Sequence, residues 1–194
     1  ASGSMLDETI ESASARLEDT DAKKREAPKW QRTIHALEWM IASLDPKTHF
    51  QIFFFNDETF PVLEGRADEW FDTKDKKTIA QIVKRIEAIV PQGGGNLERA
   101  FTTVRYLPKL PDSIVLFTDG LPTKSDSLPY DGEVGPEQRL RFFEVAKTQL
   151  PPHIPIATIL FPFSGDPGGP AIFWELANAT RGSFVCPSKS WPDT

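Results

Sequence analysis

The chain is predicted to fold as an α/β domain, a three-layer, doubly wound, Rossmann-like arrangement around a mostly parallel sheet. Apolar runs of strand length at 50–55, 113–117 and 154–161 alternate with amphipathic helical stretches. That order places helices against both faces of a sheet. The run SIVLFTDGLPT at 113–123 ends a strand on Asp119 and then turns, and open sheets of this class carry their ligand loops at the carboxyl ends of strands. At 194 residues the chain has length for one domain, 1–194, with a sizeable core.

Each element has its own signal. Residues 5–17 set Leu6, Ile10, Ala13 and Leu17 on one helical face. Residues 18–27, EDTDAKKREA, are almost wholly charged and read as a solvated loop. Pro28 suits a first helical turn, and Trp30, Ile34, Leu37, Ile41 and Leu44 keep helical spacing until Asp45-Pro46 stops it. FQIFFF at 50–55 is patterned as a strand covered on both faces. Asn56-Asp57-Glu58 turns it into a second strand at 59–63, making a hairpin. A helix over 74–90 turns Ile79, Ile82, Val83, Ile86 and Ile89 inward until Pro91 and Gly93-Gly94-Gly95 break it. Asn96 is placed to N-cap a helix over 97–106.

After the strand at 113–117, the Pro- and Gly-rich loop 121–135 is too long for a simple connection. A helix at 136–150, a strand at 154–161, the breaker-rich loop FSGDPGGP at 163–170, a helix at 171–180 and a strand at 184–186 complete the order. Gly182 is the expected C′ residue of the last helix. A sheet wound in this way starts on a central strand whose end carries a ligand loop. Residues 1–4 have the composition of that loop, so the strand is expected ahead of Ala1. Without it the sheet has a gap at its middle.

Composition narrows the function. Lys and Arg number 22 against 28 Asp and Glu, a net charge of −6 with no basic stripe, so nucleic acid is not an expected partner. Cys186 is alone and forms no internal disulfide. No run approaches the roughly 18 apolar residues of a membrane span, and none reads as a signal sequence. Membrane attachment or export is therefore expected only through a segment ahead of Ala1, and the compartment stays open between extracytoplasmic and cytoplasmic.

Ser2 and Ser4, two residues apart, and Asp119 at a strand tip are hard oxygen donors of the kind a small divalent cation takes. Singly, each has a plainer reading. The serines can cap a helix, Asp119-Gly120 can be a turn, and 93–95 can be only a loop. His35, His49 and His153 are scattered and read as packing or surface. No Ser/His/Asp set, no Cys with a companion His and no carboxylate pair at strand ends appears. No Lys-Ser/Thr pair follows the glycines, as a phosphate-binding loop requires.

SGSM, a helix, GGGNLERAF, LFTDGLPT and LANATRGSF, in that order, resemble a von Willebrand factor type A domain. FTDGLPT and FWELANATRGSF look like its bacterial members. The resemblance implies a metal-ion-dependent adhesion site with Ser2 and Ser4 as direct hydroxyl ligands and Asp119 bound directly or through water. The family's first aspartate would sit ahead of Ala1. Its threonine aligns with Gly95, which has no side chain; the amide of Asn96, or an added water, would substitute. Thr118, Thr123 and Ser125 border the same edge. The expected ion is Mg2+, with Mn2+ or Ca2+ as alternatives, and the expected partner is another protein that offers an acidic residue. Two other functions are compatible with the residues: a structural subunit of a bacterial envelope assembly with a weak or vestigial ion site, and a metal-dependent phosphohydrolase in which 93–96 cradle phosphate.

Overall fold

A computed structural model describes residues 1–188 and Trp191. A 3₁₀ turn, Gly3–Leu6, opens the chain. The helices are α1 (Ile10–Leu17), α2 (Asp21–Arg25), α3 (Pro28–Ser43), α4 (Lys76–Glu87), α5 (Leu97–Arg105), α6 (Pro136–Thr148) and α7 (Gly169–Ala179). The strands are β1 (His49–Phe50), β2 (Phe53–Phe55), β3 (Thr59–Pro61), β4 (Phe71–Asp72), β5 (Ile114–Thr118), β6 (Ile156–Leu160) and β7 (Phe184–Val185). β5, β6 and β7 form a parallel sheet, with Ile114 opposite Ile156 and Thr118 opposite Leu160. The α/β fold with a parallel sheet is therefore present, and the expected β2–β3 hairpin pairs Phe53 with Pro61 and Phe55 with Thr59.

Local chemistry redrew several boundaries. Residues 5–17 are not one helix. Asp7 takes the Glu8 amide and the Arg16 guanidinium, and Thr9 accepts the Ser12 amide, so the helix restarts at Ile10 behind a proper N-cap. The charged stretch 18–27 holds the short helix α2, capped by Thr20. FQIFFF is two strands, because the Gln51 amide donates to the carbonyls of Arg66 and Glu69 and breaks the ladder there. β1 then pairs antiparallel with β4, an edge strand with no pattern of its own in the sequence.

Two apolar cores result. The first packs Leu6, Trp30, Ile34, Phe54, Ile82 and Ile86, with the Trp30 indole N–H donating to the Ile89 carbonyl. The second packs Leu97, Phe101, Leu116, Phe143, Ile156 and Phe173. β2 and β5 lie in separate sheets. Between them is a cavity of about 300 Å³ walled by Trp30, Phe54, Phe101 and Leu116, with Trp70 at its lining. Trp191 packs edge-on to Trp39. Among the described residues, no helix is long and apolar enough to cross a membrane.

Candidate functional site

The first segment of chain is fixed from several sides. The Gly3 amide donates to the Gly93 carbonyl at 3.0 Å, and Gln92 donates to the Ala1 carbonyl at 3.0 Å. Ala1 offers its amino group to the Phe55 carbonyl. Ser2 occupies the N-cap of the 3₁₀ turn yet makes no side-chain capping bond. Its hydroxyl instead meets the Ser4 hydroxyl at 2.9 Å.

Asp119 leaves the end of β5 and is only 7% exposed. Its Oδ2 accepts from the Lys29 ammonium at 2.8 Å. The same ammonium donates to the Ser4 carbonyl at 3.1 Å, so Ser4 and Asp119 stand two hydrogen bonds apart. Ser2, Ser4, Gly95, Thr118 and Asp119 all line one cavity of about 150 Å³, together with Thr123, Arg139 and Phe163. Sequence positions more than a hundred residues apart thus share one opening.

Asn96 stands apart from this cavity. Its amide oxygen caps α5 by accepting the Arg99 amide, and its Nδ2 donates to Asp126. Both ends of the amide thus already have partners within the α5 cap and the long loop. Gly95 does face the cavity, and a Cβ added there would meet nothing within 4 Å. The Thr118 hydroxyl donates to the Gly120 carbonyl and shapes the turn. His35, His49 and His153 are all exposed.

Three charged groups escaped the sequence reading. Lys29 is 2% exposed on the inward face of α3, in register with Thr33, Ala36 and Leu37. That register was its signal, because a lysine on an apolar stripe implies a buried partner. Arg139 bonds Leu121 through its carbonyl and Asp166 through its carboxylate, and Asp166 in turn accepts the Leu121 amide. This clamp, which joins two loops, had no sequence signal. Glu98, buried in the first turn of α5, accepts from the Ser125 hydroxyl at 2.6 Å, the Asp126 amide at 2.8 Å and the Ser127 amide at 3.1 Å. It latches the start of the long loop.

Burial alone would raise the Glu98 carboxyl, but its hydrogen bonds outweigh that and hold it below the usual range. A group depressed in the folded state stabilises above its unfolded value, about 4.3 for glutamate, and loses that contribution as pH falls through the folded value. Hydrogen-exchange protection at Asp126 and Ser127, relative to intrinsic rates at each pH, is therefore expected to fall on acidification before that of the core strands. Glu98→Gln is expected to cost about 1–3 kcal/mol at neutral pH and to remove the effect. Equal protection of the loop and β6 through the acid range would rule the latch out.

The donor set is hard oxygen: two serine hydroxyls, one carboxylate and the neighbouring threonines, with open room at Gly95. Such a set fits a small cation that keeps some of its water. Among the described residues, no group of three or more His, Cys, Asp or Glu converges to hold a metal ion, so any such ion would depend on the hydroxyls.

Comparison with known proteins bears on the family and the fold. A family model described as von Willebrand factor type A domain matches residues 17–184. The match includes Lys29, Gly95 and Asp119 and leaves Ser2 and Ser4 outside. Among solved structures, a von Willebrand factor type A protein from Catenulispora acidiphila aligns with a TM-score of 0.57 at 15% identity, covering 88% of this chain. The chain spans 37% of that protein, and the likeness concerns the fold. None of the curated proteins matches.

Proposed function

The chain belongs to the von Willebrand factor type A domain family, and from that premise we propose a specific role for it. It is a non-enzymatic protein-binding unit that uses a divalent cation, held by Ser2, Ser4 and Asp119, to engage an acidic group on a partner protein. Domains of this family generally mediate protein–protein interaction. The observation that carries the finer reading is the shared cavity, in which both serines and the aspartate meet. Magnesium suits it best, with manganese or calcium as alternatives. When bound, the ion would supply an open positive position for a partner carboxylate. On this reading residues 1–194 act as one binding unit.

A structural role with a weak ion site is the second reading. Two observations favour it: Asp119 already has a cationic partner, and Gly95 offers no side-chain oxygen. The phosphohydrolase reading has no such support. The Gly94 amide donates to Asp57 and the Gly95 amide to Thr123, so these two loop donors are not free for phosphate.

Calorimetric titration with magnesium chloride, repeated with manganese, tests the ion site. Heat of binding is expected in the wild type and expected to vanish in Asp119→Ala. Gly95→Thr, which has space for its side chain, is expected to tighten binding roughly ten-fold by restoring a hydroxyl. Undiminished binding in Asp119→Ala would place the ion elsewhere. Neither heat nor a thermal shift at millimolar ion would favour the structural role.

A further inference from the structure

We propose that Lys29 is an internal cation that competes with the divalent ion for Asp119 and thereby sets how strongly the site binds it. The proposal rests on the ion-site reading above. The Lys29 ammonium has three N–H bonds and three acceptors: Asp119 Oδ2 at 2.8 Å, the Ser4 carbonyl at 3.1 Å and the Asp7 carbonyl at 3.2 Å. Its donors are saturated, and it also lies 4.9 Å from the centre of the Phe163 ring. The two side chains are 1% and 8% exposed, so water screens the pair little. In effect a cation is already built into the site, tied to both of the chain segments that an incoming ion would join.

Charge balance decides what this does. Among the described residues, Asp119 is the one carboxylate that lines the cavity. The acidic residues nearby in sequence are themselves paired, Asp7 with Arg16 at 2.8 Å and Glu8 with Arg32 at 3.0 Å. Arg139, which also lines the cavity, is likewise paired, with Asp166 at 3.1 Å, so the Lys29–Asp119 pair sets the local balance. A divalent ion at Asp119 would therefore meet a carboxylate whose charge is already spent on Lys29, and would have to bear the repulsion of that ammonium. The consequence runs both ways. The site stays ordered without an ion, because Lys29 bridges the 3₁₀ turn and the tip of β5. It also admits an ion only weakly, so occupancy follows ion concentration.

The test compares wild type with Lys29→Met, which keeps the length of the buried stem and drops the charge, and with Lys29→Arg, which keeps the charge. Lys29→Gln serves as a second neutral variant should Lys29→Met fold poorly. Magnesium titration by calorimetry is expected to show binding at least about ten-fold tighter in the neutral variants than in the wild type, with Lys29→Arg no tighter than wild type. Melting is expected to show the converse: the neutral variants fall without ion, because an unpaired carboxylate is left buried, and millimolar magnesium restores them more than it raises the wild type. Adding Asp119→Ala to either neutral variant is expected to abolish the gain. Equal magnesium affinity in wild type and neutral variants would overturn the role of Lys29 and leave the ion site standing. Absence of binding in every protein would overturn both, and a gain that survives Asp119→Ala would overturn the competition.

Discussion

Gly182→Ala is expected to lower stability by at least about 3 kcal/mol. α7 ends in a Schellman turn, in which the Gly182 amide donates to the Ala177 carbonyl at 2.8 Å and the Arg181 amide to Asn178 at 3.1 Å. The left-handed residue is Arg181, at φ 60°, and not the glycine. The expectation that Gly182 serves as C′ is thus displaced by one position. Gly182 is needed for a different reason. A Cβ there would overlap the carbonyl of Ile156 and stand 2.8 Å from its nitrogen. The obstacle is backbone at the start of β6, which has no rotamer to change. The chain must separate just before Phe184 pairs with Thr158. For a domain of this length the loss corresponds to roughly 6–12 °C in Tm. Gly95→Ala is the control, because its added Cβ meets nothing, and it is expected to stay within about 0.5 kcal/mol of wild type. Similar melting of the two variants would refute the close-approach account.

Asp166→Ala is expected to cost about 3–5 kcal/mol, the usual penalty for removing one partner of a buried ion pair. Arg139 and Asp166 are 11% and 4% exposed and meet at 3.1 Å. Arg139 also donates to the Leu121 carbonyl, at 2.6 Å, and to the Gly165 carbonyl, at 3.2 Å. Removing the carboxylate strands the guanidinium charge and leaves the Leu121 amide without its acceptor. Asp166→Asn keeps an oxygen for that amide and is expected to lose less, about 1–3 kcal/mol. Because Leu121 lies two residues from Asp119, magnesium binding is expected to weaken in step with stability. Denaturant unfolding of both variants checks the order. Asp166→Ala as stable as Asp166→Asn would mean that the pair carries no net charge compensation.

Much of this architecture was legible in the residues. β5 and β6 are short, uniformly apolar and bounded by breakers, and they pair as expected. Asn96 caps α5, and the hairpin turn falls at Asn56-Asp57-Glu58. The candidate donors Ser2, Ser4 and Asp119 were read from hydroxyl and carboxylate chemistry, and they line one cavity. What stayed hidden was decided by contacts distant in sequence or by single side chains. Gln51 splits an apolar run that looks continuous because its amide finds carbonyls fifteen or more positions away. Thr9 wins a cap inside a periodic stretch. β4 exists because Phe71 has Phe50 to pair with. Arg139 sits in the first turns of α6, and only the folded loops disclose its partners. Lys29 was missed although its helical register pointed inward.

The two half-cores have a mechanical consequence. Lys29 belongs to a helix of the first, and Asp119 follows a strand of the second, so their bond is a cross-tie over a seam. The tie is not alone: Phe117 packs against the first core, Phe55 against the second, and the Asn96 amide donates to the Asn56 carbonyl at 2.8 Å. The candidate pocket and this cross-tie are therefore located together, so a change that pulls the two halves apart also parts the walls of the pocket.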